Sequence, residues 1–197
     1  MDAKVNPAAR GTEASERQAG PVFVRNSRDA DVPAMLAIYL HHIRRGVDPG
    51  IEENEFETPD AEDLKRRRKS MQRRKMPHIL AEDGGVVVGY AYAVPFRKRP
   101  AYRYTVKHSI YVHNDHLRRG VGRQLMGALI DACAAAGFRQ MIGYIDSANR
   151  ASLALHEAFG FGKVGYLPSV GFKFGRWTDT VMVQRSLGPG ATEPPRT

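Results

Sequence analysis

Ser109-Ile110-Tyr111-Val112, followed after a short polar turn by Arg118-Arg119-Gly120-Val121-Gly122-Arg123, is the stretch on which the reading of this chain turns. The first four residues read as a strand, and the second group opens an amphipathic helix that runs over Gly122 to Ala136. Val121, Leu125, Leu129 and Cys133 recur every fourth residue, so one helix face is apolar and must lie on a sheet. Glycines at such a turn let the backbone approach an anion with no Cβ in the way. The first N–H groups of a helix lack intrahelical partners and point along its axis. Backbone N–H groups with flanking positive charge suit a diphosphate.

Spacing separates this turn from other glycine-rich anion sites. Arg123, Gln124 and Leu125 follow Gly122, so there is no G-x-G-x-x-G dinucleotide fingerprint, and no G-x-x-x-x-G-K-[ST] phosphate loop occurs either. What remains is R-x-G-x-G. An ordinary tight strand-to-helix connection would use the same glycines, so the rest of the chain must decide.

The 197 residues are 42% hydrophobic and 26% charged, enough for one well-buried core in a single domain. Residues 1–20 and 188–197 lack a periodic apolar face and read as mobile tails around a domain at 21–187. The single cysteine excludes an internal disulfide framework and fits a reducing cytoplasm. Cys133 lies on the apolar side of its helix and reads as a small core hydrophobe. No leader-like apolar run opens the chain, and no segment approaches the length that spans a bilayer, so neither secretion nor a membrane role is expected.

Periodicity predicts a strand at Val22 to Arg25, a helix from about Asp29 to Arg45, and a polar excursion from Gly46 to Pro59. A basic helix over Asp60 to Arg74 follows. Strands at His78 to Glu82 and Val86 to Val94 are joined by Asp83-Gly84-Gly85, which tolerates positive φ. A strand at Thr105 to Val112 leads into the glycine turn. Beyond the long helix come a strand at Met141 to Ile145, a helix at Asn149 to Phe159, and strands at Phe161 to Tyr166 and Thr178 to Arg185. Helices interrupting a mixed, mostly antiparallel sheet make this an α+β fold.

The formal charge is +9, much of it in Lys65-Arg66-Arg67-Arg68-Lys69 and Arg73-Arg74-Lys75. Interleaved aromatics and nucleic-acid motifs are missing, so the basic helix reads as a solvated face that attracts anions rather than a nucleic-acid surface. His113 and His116, and the adjacent His41-His42, lack the companions of a tetrahedral metal set, and no metal is expected.

Asn149-Arg150-Ala151-Ser152, which begins a helix ending at Gly160-Phe161-Gly162, combines with the Gly120-Val121-Gly122 turn so that the chain resembles the GNAT superfamily of acetyl-coenzyme A dependent N-acetyltransferases. The stretches Tyr102-Arg103-Tyr104-Thr105-Val106, Ser109-Ile110-Tyr111-Val112-His113, Leu155-His156-Glu157 and Gly171-Phe172-Lys173-Phe174-Gly175-Arg176-Trp177 resemble its phosphinothricin N-acetyltransferase group. The resemblance covers roughly Val22 to Leu187.

It implies a GNAT-like acyl-CoA fold, acetyl-CoA as cosubstrate, and acetylation of a small anionic amino-acid-like amine of the phosphinothricin or methionine sulfone/sulfoximine type. It implies that the backbone at Ile110, Tyr111 and Val112 meets the pantetheine arm and that Arg118, Arg119, Gly120, Val121, Gly122 and Arg123 hold the diphosphate. Asn149 and Ser152 are further coenzyme contacts, although Asn and Ser also cap and solvate helices routinely. His156 takes the place of the proton donor to the leaving thiolate; a buried core histidine is the alternative. Arg97, Arg99, Tyr102 and Tyr111 correspond to the substrate pocket, where a guanidinium fork suits a carboxylate or phosphinate. Lys173, Arg176 and Trp177 correspond to a segment that closes the pocket or a dimer interface, and the resemblance implies a homodimer.

Three departures stand out. Leu117 occupies a place usually held by arginine or glutamine. The Gly46 to Pro59 segment carries Asp48, Glu52, Glu53, Glu55 and Glu57 in place of a threonine-rich loop. Lys107 stands where the group has its general-base glutamate, and a protonated lysine has no free electron pair for an ammonium's proton. Two readings follow: an active N-acetyltransferase, or an acyl-CoA-binding protein with weak or no turnover.

Overall fold

The computed structural model describes residues 22–44, 59–173 and 175–195. The expected excursion at Gly46 to Pro59 and the tail at 1–20 therefore lie outside the described residues, apart from Pro59. The elements are β1 (Phe23–Asn26), α1 (Val32–Arg44), α2 (Ala61–Arg73), β2 (His78–Asp83), β3 (Val86–Pro95), β4 (Thr105–Val112), α3 (Val121–Ala135), β5 (Gln140–Asp146), α4 (Arg150–Ala158), β6 (Gly162–Lys173) and β7 (Arg176–Ser186). The strands form one sheet in the order β1-β2-β3-β4-β5-β7-β6. Only β4 and β5 pair in parallel.

Strand alternation sorts the side chains onto two faces. Val121, Leu125, Leu129 and Cys133 of α3 are buried with Ala91, Val106, Met141 and Ile145 of the sheet, and Leu153, Leu155 and Phe159 of α4 pack against them. Burial pushes the Cys133 thiol up to about 12, consistent with a core hydrophobe. On the other face, Val32, Met35 and Ile38 of α1 and Leu64 of α2 enclose Leu80 and Tyr90. The α3 helix lies close enough to β3 that a Cβ on Gly89 would sit 2.9 Å from the Tyr111 carbonyl oxygen and 3.0 Å from Leu125 Cδ1.

The first helix starts later than periodicity suggests. A 3-10 turn occupies Asp29–Asp31, and the α-helix begins at Val32, with Pro33 in the first turn where a missing N–H costs nothing. The sixth strand runs on to Lys173 rather than stopping at Tyr166. The pairing register shifts between Leu167 and Gly171, and this bulge accommodates Pro168 within the strand. Asp179 of β7 anchors the bulge by accepting from the Ser169 N–H at 2.7 Å and from the Tyr166 hydroxyl. Lys173, Arg176 and Trp177 thereby fall at the tip of the β6–β7 hairpin.

The basic helix is not charged all round. Leu64, Arg68 and Met71 form its buried stripe, and Arg68 donates to the Ser27 carbonyl and to Asp29. Sequence counts this arginine with its solvated neighbours because a run of like charges hides a period of 3.6. Among the described residues, no helix is long and apolar enough to cross a membrane.

Candidate active site

The glycine turn adopts the geometry an anion cradle needs. Gly120 is the N-cap of α3 with φ +81°, Arg118 also has positive φ, and a Cβ on Gly120 would meet open space. The first hydrogen bond of the helix runs from Gln124 N–H to the Gly120 carbonyl at 3.1 Å. The N–H groups of Val121, Gly122 and Arg123 therefore precede the helical ladder and carry the positive end of its dipole. Of the flanking arginines, Arg118 is exposed, Arg119 pairs with Asp83 at 2.9 Å, and the Arg123 guanidinium lies 5.6 Å from the Phe159 ring centroid.

From that turn the sheet opens along β4. Parallel pairing to β5 covers only Thr105 to Lys107, opposite Gln140 to Ile142. Pairing of β4 with β3 continues to Val112, and β5 keeps pairing with β7 to Asp146. Beyond Lys107 the two middle strands part, leaving a wedge whose β4 edge includes Ile110, Tyr111 and Val112. The Val112 carbonyl accepts from His42 Nε2 of α1 at 2.9 Å. Such a wedge admits an extended chain that hydrogen-bonds to strand edges.

Side chains at its apex separate onto opposite faces. Lys107 shares a face with Ser109 and Tyr111, and its ammonium lies 5.8 Å from the Tyr144 ring centroid. His108 lies on the other face with Val106. There it meets His156 of α4: the two Nε2 atoms are 2.9 Å apart, and both rings pack against Phe161. Each remaining ring nitrogen also has a partner. His108 Nδ1 is 3.0 Å from the Ile142 carbonyl oxygen, and His156 Nδ1 is 2.7 Å from that of Ser152. Burial lowers both imidazoles below their ordinary range, His108 to about 3, with His156 contributing a second, electrostatic push there.

The other expected residues are dispersed. Asn149 caps α4, its side-chain oxygen accepting from Ser152 N–H at 3.0 Å, which is the capping role weighed for it from sequence. Ser152 Oγ lies 3.4 Å from His156 Nδ1. Arg97 and Arg99 are exposed on the β3–β4 loop, and the Arg97 guanidinium stacks between Phe96 and Tyr102. Tyr111 lies in an aromatic layer with Tyr39, Tyr90 and Tyr92, and burial pushes its hydroxyl well above the usual tyrosine range.

None of Arg97, Arg99 and Tyr102 lines the cavity of about 580 Å³ between α1, α2 and the sheet. Its walls include Tyr39, His78, Tyr90 and Tyr92, with the exposed Arg66 and Arg73 of α2. Sequence reasoning missed these arginines and His108. Alternation offered a signal for the latter, because Val106, His108 and Ile110 share one strand face, and a histidine turned toward a core needs partners.

The chain is similar to a set of known enzymes. A model of the acetyltransferase (GNAT) family matches residues 40–161. A phosphinothricin N-acetyltransferase of Alcaligenes faecalis is 46% identical over 175 residues, covering 87% of this chain and 86% of the relative. An L-methionine sulfoximine/L-methionine sulfone acetyltransferase of Pseudomonas aeruginosa is 38% identical over 175 residues, covering 87% and 98%. The solved structure of a phosphinothricin acetyltransferase of Sinorhizobium meliloti in complex with acetyl-CoA superposes with a TM-score of 0.80 at 38% identity, covering 89% of this chain and 93% of that one. With the turn, the wedge and the seven-stranded sheet in place, these similarities establish that the chain belongs to the GNAT family of acetyltransferases.

Proposed function

We propose that the protein transfers the acetyl group of acetyl-CoA to the primary amine of a small, anionic amino-acid-like substrate of the phosphinothricin or methionine sulfone/sulfoximine type. The observation that carries this reading is the continuity from the N-terminus of α3 to the apex of the wedge. A diphosphate at Val121, Gly122 and Arg123 directs the attached arm along the open edge at Ile110, Tyr111 and Val112 toward Lys107 and His156. Arg118 and Arg119 add positive charge at the turn. Asn149 and Ser152 edge the wedge from the start of α4.

Acetyl transfer needs an amine without its extra proton, a donor for the acetyl oxygen as it gains charge, and a proton for the departing sulfur. Lys107 faces the apex from one side. His156 approaches from the other. Arg97, Arg99, Tyr102 and Tyr111 are the residues we assign to the substrate's anionic end and its surroundings. Arg97 and Arg99 lie on the loop that enters β4, so the substrate comes in opposite the diphosphate turn.

We also assign the β6–β7 hairpin to a homodimer interface, because Val164, Tyr166, Val170, Phe172 and Trp177 are each more than half exposed on it. A reducing cytoplasm suits the buried, unpaired Cys133.

Thiol release from acetyl-CoA, measured across phosphinothricin, methionine sulfone, methionine sulfoximine, ordinary L-amino acids and polyamines, tests the assignment. Turnover is expected with the anionic amino-acid-like amines. Turnover with polyamines alone would overturn the substrate class, and coenzyme binding without thiol release from any amine would leave an acyl-CoA-binding protein.

A further inference from the structure

His108 and His156 stand 48 residues apart in sequence and meet through their Nε2 atoms at 2.9 Å. Their protons can be counted. Each Nδ1 lies within hydrogen-bonding distance of a carbonyl oxygen, that of Ile142 at 3.0 Å for His108 and that of Ser152 at 2.7 Å for His156. A carbonyl oxygen only accepts, so Nδ1 carries the hydrogen on His108, and on His156 the carbonyl at 2.7 Å outweighs the Ser152 hydroxyl at 3.4 Å and puts the hydrogen on Nδ1 there too. A neutral imidazole has one N–H. Each Nε2 therefore presents a lone pair, and the two lone pairs face one another. Three hydrogen bonds need three protons, and two neutral rings hold two.

A third proton between the Nε2 atoms completes the set and gives the two rings one positive charge. Burial opposes that charge, so the neutral pair has a place for a proton without holding one at rest. The location adds a further constraint. A Cβ on Gly143 would sit 3.2 Å from His156 Nε2 and 3.1 Å from His108 Cε1, so glycine keeps the β5 side of the shared axis clear. His108 also sits directly after the last β4–β5 rung, on the face opposite Lys107.

We propose that His108 positions His156 and shares with it, along the Nε2–Nε2 axis, the proton released by the amine nitrogen during acetyl transfer. The inference rests on the acetyltransferase reading above. The nitrogen forms its bond to the acetyl carbon and gives up a proton to the ring pair. The carbon–sulfur bond breaks with its electron pair on sulfur, and the ring pair returns the proton to the thiolate. Nothing is oxidised or reduced, and both rings end neutral. His108 is a positioning residue in this scheme, since it acts through His156.

A purely structural alternative is that His108 merely staples the end of the β4–β5 ladder through Ile142. One measurement tests the proton count, and a second separates the roles. In the ¹⁵N-labelled full chain, histidine ring ¹⁵N–¹H correlations at neutral pH should show both rings as Nδ1–H tautomers, and an Nε2–H hydrogen on either ring overturns the proposal. In His108→Gln, the amide N–H₂ donates permanently to His156 Nε2 and closes the vacancy. Its kcat should fall about a hundredfold with the KM for acetyl-CoA within about twofold, and adding His156→Gln should cost little more.

A kcat within about twofold of wild type, or losses that multiply in the double variant, would leave His108 a staple and defeat the proposal while sparing the acetyltransferase reading. If His108→Gln does not fold, the wild-type tautomers still test the proton count, and Gly143→Ala supplies the kinetic test that separates the roles. A chain with both Nδ1–H tautomers that acetylates no amine would refute the function and the role of the rings in it together.

Discussion

The two ends of β4 are built from opposite materials. At Val112 the strand runs into a turn of consecutive residues whose working groups are backbone N–H donors, set by the left-handed Gly120. Five residues back, about 17 Å along the strand, the apex is assembled from β4, β5 and α4, and its working groups are buried side chains. The Arg119–Asp83 pair shows how little the first region relies on any single side chain. At the apex each imidazole nitrogen is tied to a partner at 3.0 Å or less inside the core. The turn should accordingly tolerate side-chain loss but not a negative charge in the cradle, whereas the apex should be sensitive to shifts of less than an ångström.

Substitutions can break this contrast. The largest effect belongs to Gly122→Asp, which sets a carboxylate where a diphosphate meets N–H groups. Calorimetry should show acetyl-CoA affinity reduced at least about a hundredfold, or about 2.7 kcal/mol. A Cβ there meets Leu155 Cδ2 at 3.4 Å and Val112 Cγ2 at 3.7 Å, ordinary contacts, so Gly122→Ala should fold and keep most of the affinity. A folded Gly122→Asp protein that binds acetyl-CoA normally would remove the coenzyme from this turn.

Gly143→Ala probes the other region by pressing a methyl group against both imidazoles. Its kcat should drop about tenfold with coenzyme affinity unchanged, and a parallel loss of both would mean that the two regions are not separable.

Lys107→Glu sharpens the contrast within the apex, because it changes the face opposite the imidazoles. Single-turnover rates at saturating acetyl-CoA should rise with pH from about 6 to 10 in the wild type, as unprotonated substrate amine accumulates. The glutamate variant should be several-fold faster near neutrality. Fast wild-type turnover at pH 7 with an inactive Lys107→Glu protein would instead make the lysine essential.

The smallest effect is expected for Arg119→Ala, whose charge is already shared with Asp83. Affinity for acetyl-CoA should fall by about threefold or less and be sensitive to salt. A loss as large as that of Gly122→Asp would show that side chains, not backbone, hold the diphosphate.

Legibility in the sequence followed the same division. The α3 stripe, the β4 boundaries and the glycine turn were readable because each depends on residues within a few positions of one another. The far end of β6 was not readable because the bulge that carries the strand past Leu167 requires β7 opposite it. Arg68 misled because burial is a property of what packs around a helix, here Ser27 and Asp29 some forty residues earlier. His156 was singled out by its place relative to Asn149, but its partner was not, since alternation turns His108 toward the core without naming a partner 48 residues away.

By itself the sequence determined an α+β domain with a glycine turn at Gly120 to Gly122 opening an amphipathic helix, and its motifs resembled the GNAT family. Periodicity, turn chemistry and motif spacing are short-range properties that a linear chain displays directly. Tertiary structure alone decided that β4 and β5 separate after Lys107 and that the His108 and His156 rings meet through their Nε2 atoms. Those facts depend on strand register and helix docking across 34 to 48 residues. In that range local preferences carry no information, and packing of the whole core sets the geometry.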